Sequence, residues 1–306
     1  THPEHTFTVL SNPEFLAEGS AIRDLLDPDR VLIGGPQDRR GRAAIKALVD
    51  VYAAWVPRRR ILTTNVWSSE MSKLAANAML AQRISSVNAF SALCEATGAD
   101  IQEVAGVLGM DKRIGPKFLQ AGPGFGGSCF KKDVLNLVYL CRTYGLDDCA
   151  DYWESVISMN EAQQKRIVAR TVKALFNTLA GKRIALFGFA FKANTGDTRE
   201  TPSLTVANLL AEEHAQIVVT DPKALPNAER DLAHLQNITL EPDPYRAAEG
   251  ADAILLMTEW DCYRTLDWAR VYAAMRKPAL IFDTRNILDL PALRALGFNT
   301  LAVGRA

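Results

Sequence analysis

The sequence predicts an α/β protein: a doubly wound parallel sheet at the C-terminal end, an all-helical centre built around one long helix, and a short α/β stretch at the front. Three observations carry this. From Lys182 onward, short apolar runs alternate with amphipathic stretches, as strands do when helices cross them over. From Trp67 to Thr97 an Ala- and Leu-rich helical pattern runs without Gly or Pro. At 306 residues the chain exceeds one typical compact core, so two domains are the default.

The elements follow in order. Thr6 to Leu10 alternates like a strand and runs into the proline-to-glycine loop Asn12–Gly19. Arg30 to Gly35 is a second apolar strand, Arg42 to Tyr52 a helix, and Ile61 to Thr64 another strand. The Trp67–Thr97 helix would be about 45 Å long, more than one small domain buries. It is a candidate domain connector or subunit interface. Ala99–Leu108, Lys131–Tyr144 and Tyr152–Phe176 add three helices. Beyond them, Arg183–Phe189, Gln216–Pro222, Ala251–Thr258 and Ala279–Asp283 read as buried strands, with Thr300–Val303 a short last one. Helices over Ser203–Glu213 and Asp267–Met275 separate some of them. Ligands of such sheets bind at the carboxyl ends of the strands. Those ends carry Gly188–Lys192, Asp221 and Asp283–Arg285.

Lys plus Arg equals Asp plus Glu, 35 each, so no net field favours nucleic acid or an anionic membrane. The clusters Arg39-Arg40-Gly41-Arg42 and Arg58–Arg60 read as solvated surface. Five cysteines are scattered without metal-ligand spacing, and the four histidines stand apart from them. A reducing compartment fits. No apolar run reaches the ~18 residues of a membrane span, and no signal-peptide pattern opens the chain. The expected location is the cytoplasm, with no nucleic acid and no membrane as partner.

The most informative stretch runs from Gly122 to Asp133. Cys129 follows a glycine-rich turn (Gly122, Gly124, Gly126, Gly127), and Asp133 lies four residues on. Such a turn lets the backbone approach a ligand and can open a helix, whose N-terminus favours a thiolate. Four residues is about one helical turn, so Cys129 and Asp133 share a face. A thiolate beside a carboxylate suits covalent catalysis followed by hydrolysis. A buried free cysteine beside a glycine turn fits the same window. Lys73 and Asn77 also share a helical face and could stabilise an oxyanion; a solvent-facing Glu70–Lys73 pair is the plainer alternative. Glu14 and Glu18 sit in the Asn12–Gly19 loop, where one could be a general base or both simply solvated. Lys192 and Arg199, in the Gly/Thr-rich loop after the first strand of the C-terminal sheet, suit a phosphate. The Gly-x-Gly-x-x-Gly fingerprint of a nicotinamide dinucleotide site follows no predicted strand, since the glycine run Gly122–Gly127 is not preceded by one.

Together, Leu10–Gly19, the Lys73/Asn77 helix, Gly124–Asp133 and Gly188–Arg199 resemble the UDP-glucose 6-dehydrogenase family in order and separation. The wording of Trp67 to Ala92 is similar to its animal type. The resemblance covers essentially the whole chain. It implies a two-step, four-electron oxidation of UDP-glucose to UDP-glucuronate with two NAD. By that analogy Cys129 attacks the C6 aldehyde to give a thiohemiacetal, then a thioester that water hydrolyses. Lys73 and Asn77 stabilise oxyanions, Asp133 positions or activates the water or the lysine, and Glu14 is the general base. Substrate contacts are implied for Phe15, Leu16, Phe118, Leu119, Gly124, Phe125, Gly126, Gly127, Phe191, Lys192 and Arg285. Arg113 would reach a neighbouring subunit's substrate. Glu18, Cys129 and Arg199 fall on the cofactor side.

The resemblance also implies the domain plan: residues 1–65 as the closing part of an NAD-binding domain, 66–178 as a helical dimerisation and catalytic domain, and 179–306 as a Rossmann-like UDP-binding domain. The lack of a glycine fingerprint after a strand makes an incomplete, inactive fragment the expectation, with residues 1–65 poorly packed. Gln120 stands where many animal-type members have lysine. A homo-oligomer is expected, a dimer through the long helix and possibly a hexamer. Alternative readings are another nucleotide-sugar dehydrogenase, acting on GDP-mannose or a UDP-hexosamine, and a non-catalytic UDP-sugar-binding or dimerising remnant.

Overall fold

The computed structural model describes residues 7–305. The chain divides into two compact units, Thr1–Met79 and Leu80–Ala306.

In the first unit, α1 (Ala21–Leu26) precedes β1 (Val31–Gly34), α2 (Arg39–Tyr52) and β2 (Ile61–Thr64). β1 and β2 pair in parallel, Val31 opposite Ile61 and Gly34 opposite Thr64. The Asp38 carboxylate caps α2, accepting from the Gly41 amide at 2.7 Å. Ile45 and Val49, one turn apart on α2, meet Val31, Ile33, Val56 and Ile61 in a small core. The core is small: α1 buries no residue, and Ile22, Leu26, Val51 and Leu62 remain exposed, as a two-stranded sheet with few partners leaves them. The predicted first strand is overturned. Residues 7–10 are not extended in a ladder, and the sheet contact is an isolated antiparallel bridge between Ser11 and Gly34. The alternation is real, but Phe7 and Val9 are 78% and 81% exposed, so no buried face rewards pairing there. Thr6 lies outside the described residues.

The long helix α3 (Val66–Thr97) runs 32 residues, as the sequence predicts. In the second unit, α4 (Ile101–Met110), α5 (Phe130–Thr143) and α6 (Asp147–Ala174) make the helical centre. α6 starts five residues before the predicted Tyr152, because Asp147 and Asp148 form its acidic first turn. There follow β3 (Arg183–Phe187), α7 (Pro202–Glu212), β4 (Gln216–Thr220), α8 (Leu225–Asp231), β5 (Ile238–Leu240), α9 (Pro244–Ala248), β6 (Ala253–Leu256), α10 (Asp261–Arg264), α11 (Trp268–Ala274), β7 (Leu280–Asp283), α12 (Leu290–Ala295) and β8 (Asn299–Ala302).

The strands form one sheet in the order β5-β4-β3-β6-β7-β8, every neighbouring pair parallel. In chain order this is 3-2-1-4-5-6, the dinucleotide-fold arrangement, whose topological switch point lies between β3 and β6. β6 and β7 are buried at every position, as are the last four residues of β3 and β4, because helices cover both faces. The sequence reading missed β5: it is a three-residue edge strand, half-buried, with no apolar run to mark it. Among the described residues, no helix is long and apolar enough to cross a membrane.

Candidate functional site

The site grows from the carboxyl ends of β3, β6 and β7. After β3 the chain turns at Gly188 (φ +101°), where a Cβ would lie 2.4 Å from Thr258 Cβ, so only glycine fits. The Phe189 and Ala190 amides then donate to one oxygen of Asp221, at 2.7 and 3.0 Å. Trp260 Nε1 reaches the same oxygen at 3.0 Å, and the Lys223 and Ala224 amides take the other at 2.8 Å each. Asp221, one of the acids at the predicted strand ends, is thus spent on its own backbone. The loop it anchors carries Phe191, Lys192 and Arg199. Lys192 Nζ lies 5.5 Å from the Phe191 ring centre. Arg199 is exposed and bonded to Asp197 at 2.5 Å.

Arg285, after β7, ties the three strand ends together. Its Nε donates to the Met257 carbonyl at 2.7 Å and its Nη2 to the Phe191 carbonyl at 2.9 Å. Burial pushes its pKa down, and the Glu259 and Asp283 carboxylates push back. Burial raises the Asp283 carboxyl, while amides from residues 285–288, Leu288 first, oppose the rise.

The glycine-rich turn lies against this crevice. Gly122 to Gly127 are all buried. Gly122 donates to Asn88 Oδ1 at 2.9 Å and accepts from Gln163 Nε2 at 2.6 Å. Asn160 pairs with both backbone groups of Phe125, accepting its amide at 2.8 Å and donating to its carbonyl at 3.1 Å. The Gly127 amide donates to the Arg199 carbonyl at 2.9 Å, and a Cβ there would meet the Phe191 ring at 3.1 Å. Cys129 is the N-cap of α5 and half-buried; its carbonyl accepts from the Asp133 amide at 2.9 Å. Asp133 is buried one turn into α5. So Cys129, Asp133, Gly124–Gly127, Phe191, Arg199 and Arg285 belong to one connected neighbourhood. Leu119 is buried near the turn's start, whereas Phe118 is 41% exposed in a positive-φ backbone (φ +63°). Arg83 holds the preceding turn by donating to the carbonyls of Ile114, Gly115 and Lys117. Arg113 is exposed and bonded to Asp111 at 2.6 Å.

In the first unit, Lys73 Nζ lies 2.9 Å from Glu14 Oε1 and donates to the Glu14 carbonyl at 2.7 Å. The helical lysine thus pairs with the loop acid rather than with Glu70. Its Nζ is 5.6 Å from the Phe15 ring centre, and Leu16 donates its amide to Glu14 Oε2 at 2.6 Å. Asn77 is buried one turn along α3, and Glu18 is exposed. Asn88, Asn160, Gln163 and Arg83, which hold the turns, escaped the sequence reading. The available signal was faint: amides and a cation spaced along the buried faces of α3 and α6.

Comparison with known proteins decides the family. Models of the UDP-glucose/GDP-mannose dehydrogenase family match all along the chain: its NAD binding domain over residues 1–56, its central domain over 67–162 and its UDP binding domain over 185–290. The chain belongs to the UDP-glucose/GDP-mannose dehydrogenase family. It is 55% identical to UDP-glucose 6-dehydrogenase 1 of Oryza sativa subsp. japonica, over 98% of this chain and 66% of that protein. It is 56% identical to UDP-glucose 6-dehydrogenase of Caenorhabditis elegans, over 97% of this chain and 64% of that one. The solved structure of a UDP-glucose dehydrogenase from Pyrobaculum islandicum superposes with a TM-score of 0.86 at 33% identity, covering 99% of this chain and 65% of that one. The chain therefore spans about 66% or less of the length of these family members. The resemblance read from the four motifs and the α/β fold class both hold.

Proposed function

We propose that this chain carries the sugar-oxidising and UDP-binding machinery of a UDP-glucose 6-dehydrogenase. Glu14 takes the proton from the C6 hydroxyl as the alcohol is oxidised to an aldehyde. The Cys129 sulfur adds to the aldehyde carbon, giving a thiohemiacetal. A second oxidation leaves a thioester. Water, placed by Asp133, attacks it, the C–S bond breaks, and the thiol and the UDP-glucuronate carboxylate are released. Lys73 and Asn77 offset the charge that builds on oxygen during both additions. Phe15, Leu16, Phe118, Leu119 and the Gly124–Gly127 turn hold the sugar; Phe191, Lys192 and Arg285 hold UDP; Arg113 serves a neighbouring subunit's site.

NAD, when bound, accepts one hydride at each oxidation. After β3 the Phe189 and Ala190 amides are taken by Asp221, so that turn does not offer them to a cofactor. Glu18, Cys129 and Arg199 are assigned to the cofactor side. Functionally, residues 1–65, 66–178 and 179–306 are taken as cofactor, catalytic and UDP segments. Exposed Trp67, Met79, Phe90 and Leu93 along α3 favour a dimer through that helix. Sedimentation showing only monomer would count against that.

The observation that carries this reading is Cys129 capping α5 on a turn bonded to the UDP-side loop, at the Gly127–Arg199 contact of 2.9 Å. With the NAD-binding part of a relative joined ahead of this chain, Cys129→Ala is expected to abolish UDP-glucuronate release. Unchanged product formation would remove Cys129 from the reaction. UDP-glucose is also expected to raise the melting temperature of the chain alone more than NAD does; the reverse order would contradict the assignment of the segments.

A further inference from the structure

Glu259 stands between the two residues assigned above to UDP. It follows β6, at the switch point of the sheet. Its Oε1 accepts the Ala193 amide at 3.1 Å, and Ala193 directly follows Lys192. Its Oε2 lies 3.2 Å from Arg285 Nε. That contact is an ion pair without a hydrogen bond, because the Nε–H is aimed at the Met257 carbonyl; Oε2 is buried with no other donor. One carboxylate therefore fixes the backbone beside Lys192 and neutralises the guanidinium of Arg285. Arg285 in turn holds the Phe191 carbonyl at 2.9 Å, closing a ring of contacts from β3 through β6 to β7. Without Glu259 the buried cation would keep its carbonyl partners but lose its nearest counter-charge, and the Lys192 loop would lose its tie to the β6 end.

We infer that Glu259 is a positioning residue for the nucleoside diphosphate: it presets Arg285 and the Lys192 loop in one arrangement before the ligand arrives. Preset cations bind a diphosphate without first having to be ordered. This rests on the reading that Arg285 and Lys192 hold UDP, and the test separates the two. UDP binding to the full chain is measured by calorimetry for the wild type, Glu259→Ala, Glu259→Gln, Arg285→Lys and the Glu259→Ala/Arg285→Lys double variant. Glu259→Ala is expected to weaken UDP about tenfold or more, the scale of one lost charge-assisted contact. Glu259→Gln, which keeps an acceptor for the Ala193 amide but not the charge, should fall between it and the wild type. Because a lysine ammonium cannot hold the Met257 and Phe191 carbonyls together and face Glu259 as the guanidinium does, Glu259→Ala should cost less than about threefold in the Arg285→Lys background. Equal losses in both backgrounds, or wild-type affinity in Glu259→Ala, would overturn the inference while leaving the UDP site standing. Failure of the wild-type chain to bind UDP, or full affinity in Arg285→Lys, would sink the UDP reading and this inference with it.

Discussion

Cys129 gains its setting from its neighbours rather than from its own type. Four of the five cysteines are packing or surface residues in the same fold, and only Cys129 caps a helix behind a glycine turn. Its position was legible because glycine spacing survives in the sequence as a local signal. The residues that clamp the turn were not legible, because Asn88, Asn160 and Gln163 come from helices far away in the chain. Gly124 makes the dependence testable. Its φ is +115°, and a Cβ there would lie 2.5 Å from Asn160 Oδ1, the atom that accepts the Phe125 amide. Gly124→Ala is expected to cost about 1–3 kcal/mol in urea unfolding, and to slow alkylation of Cys129 by a thiol reagent. Wild-type stability and reactivity in that variant would show that the turn is not held as described.

Among elements, α3 and α6 are joined by a half-buried charge cluster rather than by apolar packing alone. Glu95 accepts Arg166 at 2.7 Å and Arg170 at 2.6 Å, and also the Gly304 amide at 2.7 Å. One carboxylate thus links two helices to the chain beyond β8. Burial pushes both arginines down, and the Glu95 charge opposes the fall. Removing the shared anion leaves two poorly solvated cations facing each other. Glu95→Gln is expected to cost on the order of 3 kcal/mol in chemical denaturation, with Arg170→Gln costing less because one pair survives. Equal stability of Glu95→Gln and wild type would mean the cluster is solvated. The long helix itself was legible from 31 residues without Gly or Pro, whereas its ion-pair partners belong to the tertiary structure.

At the scale of the molecule, the sheet's interior sets a pH limit. Tyr263 is buried against Phe187, and its hydroxyl donates to the Thr220 carbonyl at 3.1 Å. Burial, reinforced by the Asp221 charge, raises its pKa well above the usual 10. The unfolded chain gives up that proton first, so stability is full below about pH 10 and falls as pH rises toward the folded value. Tyr263→Phe is expected to flatten this alkaline loss in melting curves, at a neutral-pH cost of about 1 kcal/mol for the lost hydrogen bond. A parallel alkaline decline in both proteins would assign the loss to other groups.

The order of strands and helices, the long helix and the cysteine turn were written in local patterns that any segment carries by itself: apolar period, glycine spacing, a missing breaker. Phe7 and Val9 show the limit of such patterns, since alternation without a face to bury makes no strand. Which acid meets which cation was decided only by folding. Lys73 could have paired with Glu70 on its own helix and instead meets Glu14, 59 positions away. Asp221 turned inward to backbone amides, and Arg285 spanned three strand ends. The reason is physical: hydrophobic periodicity acts over a turn or two of chain, while charge and hydrogen-bond partners act through space, and space is set by the packed sheet.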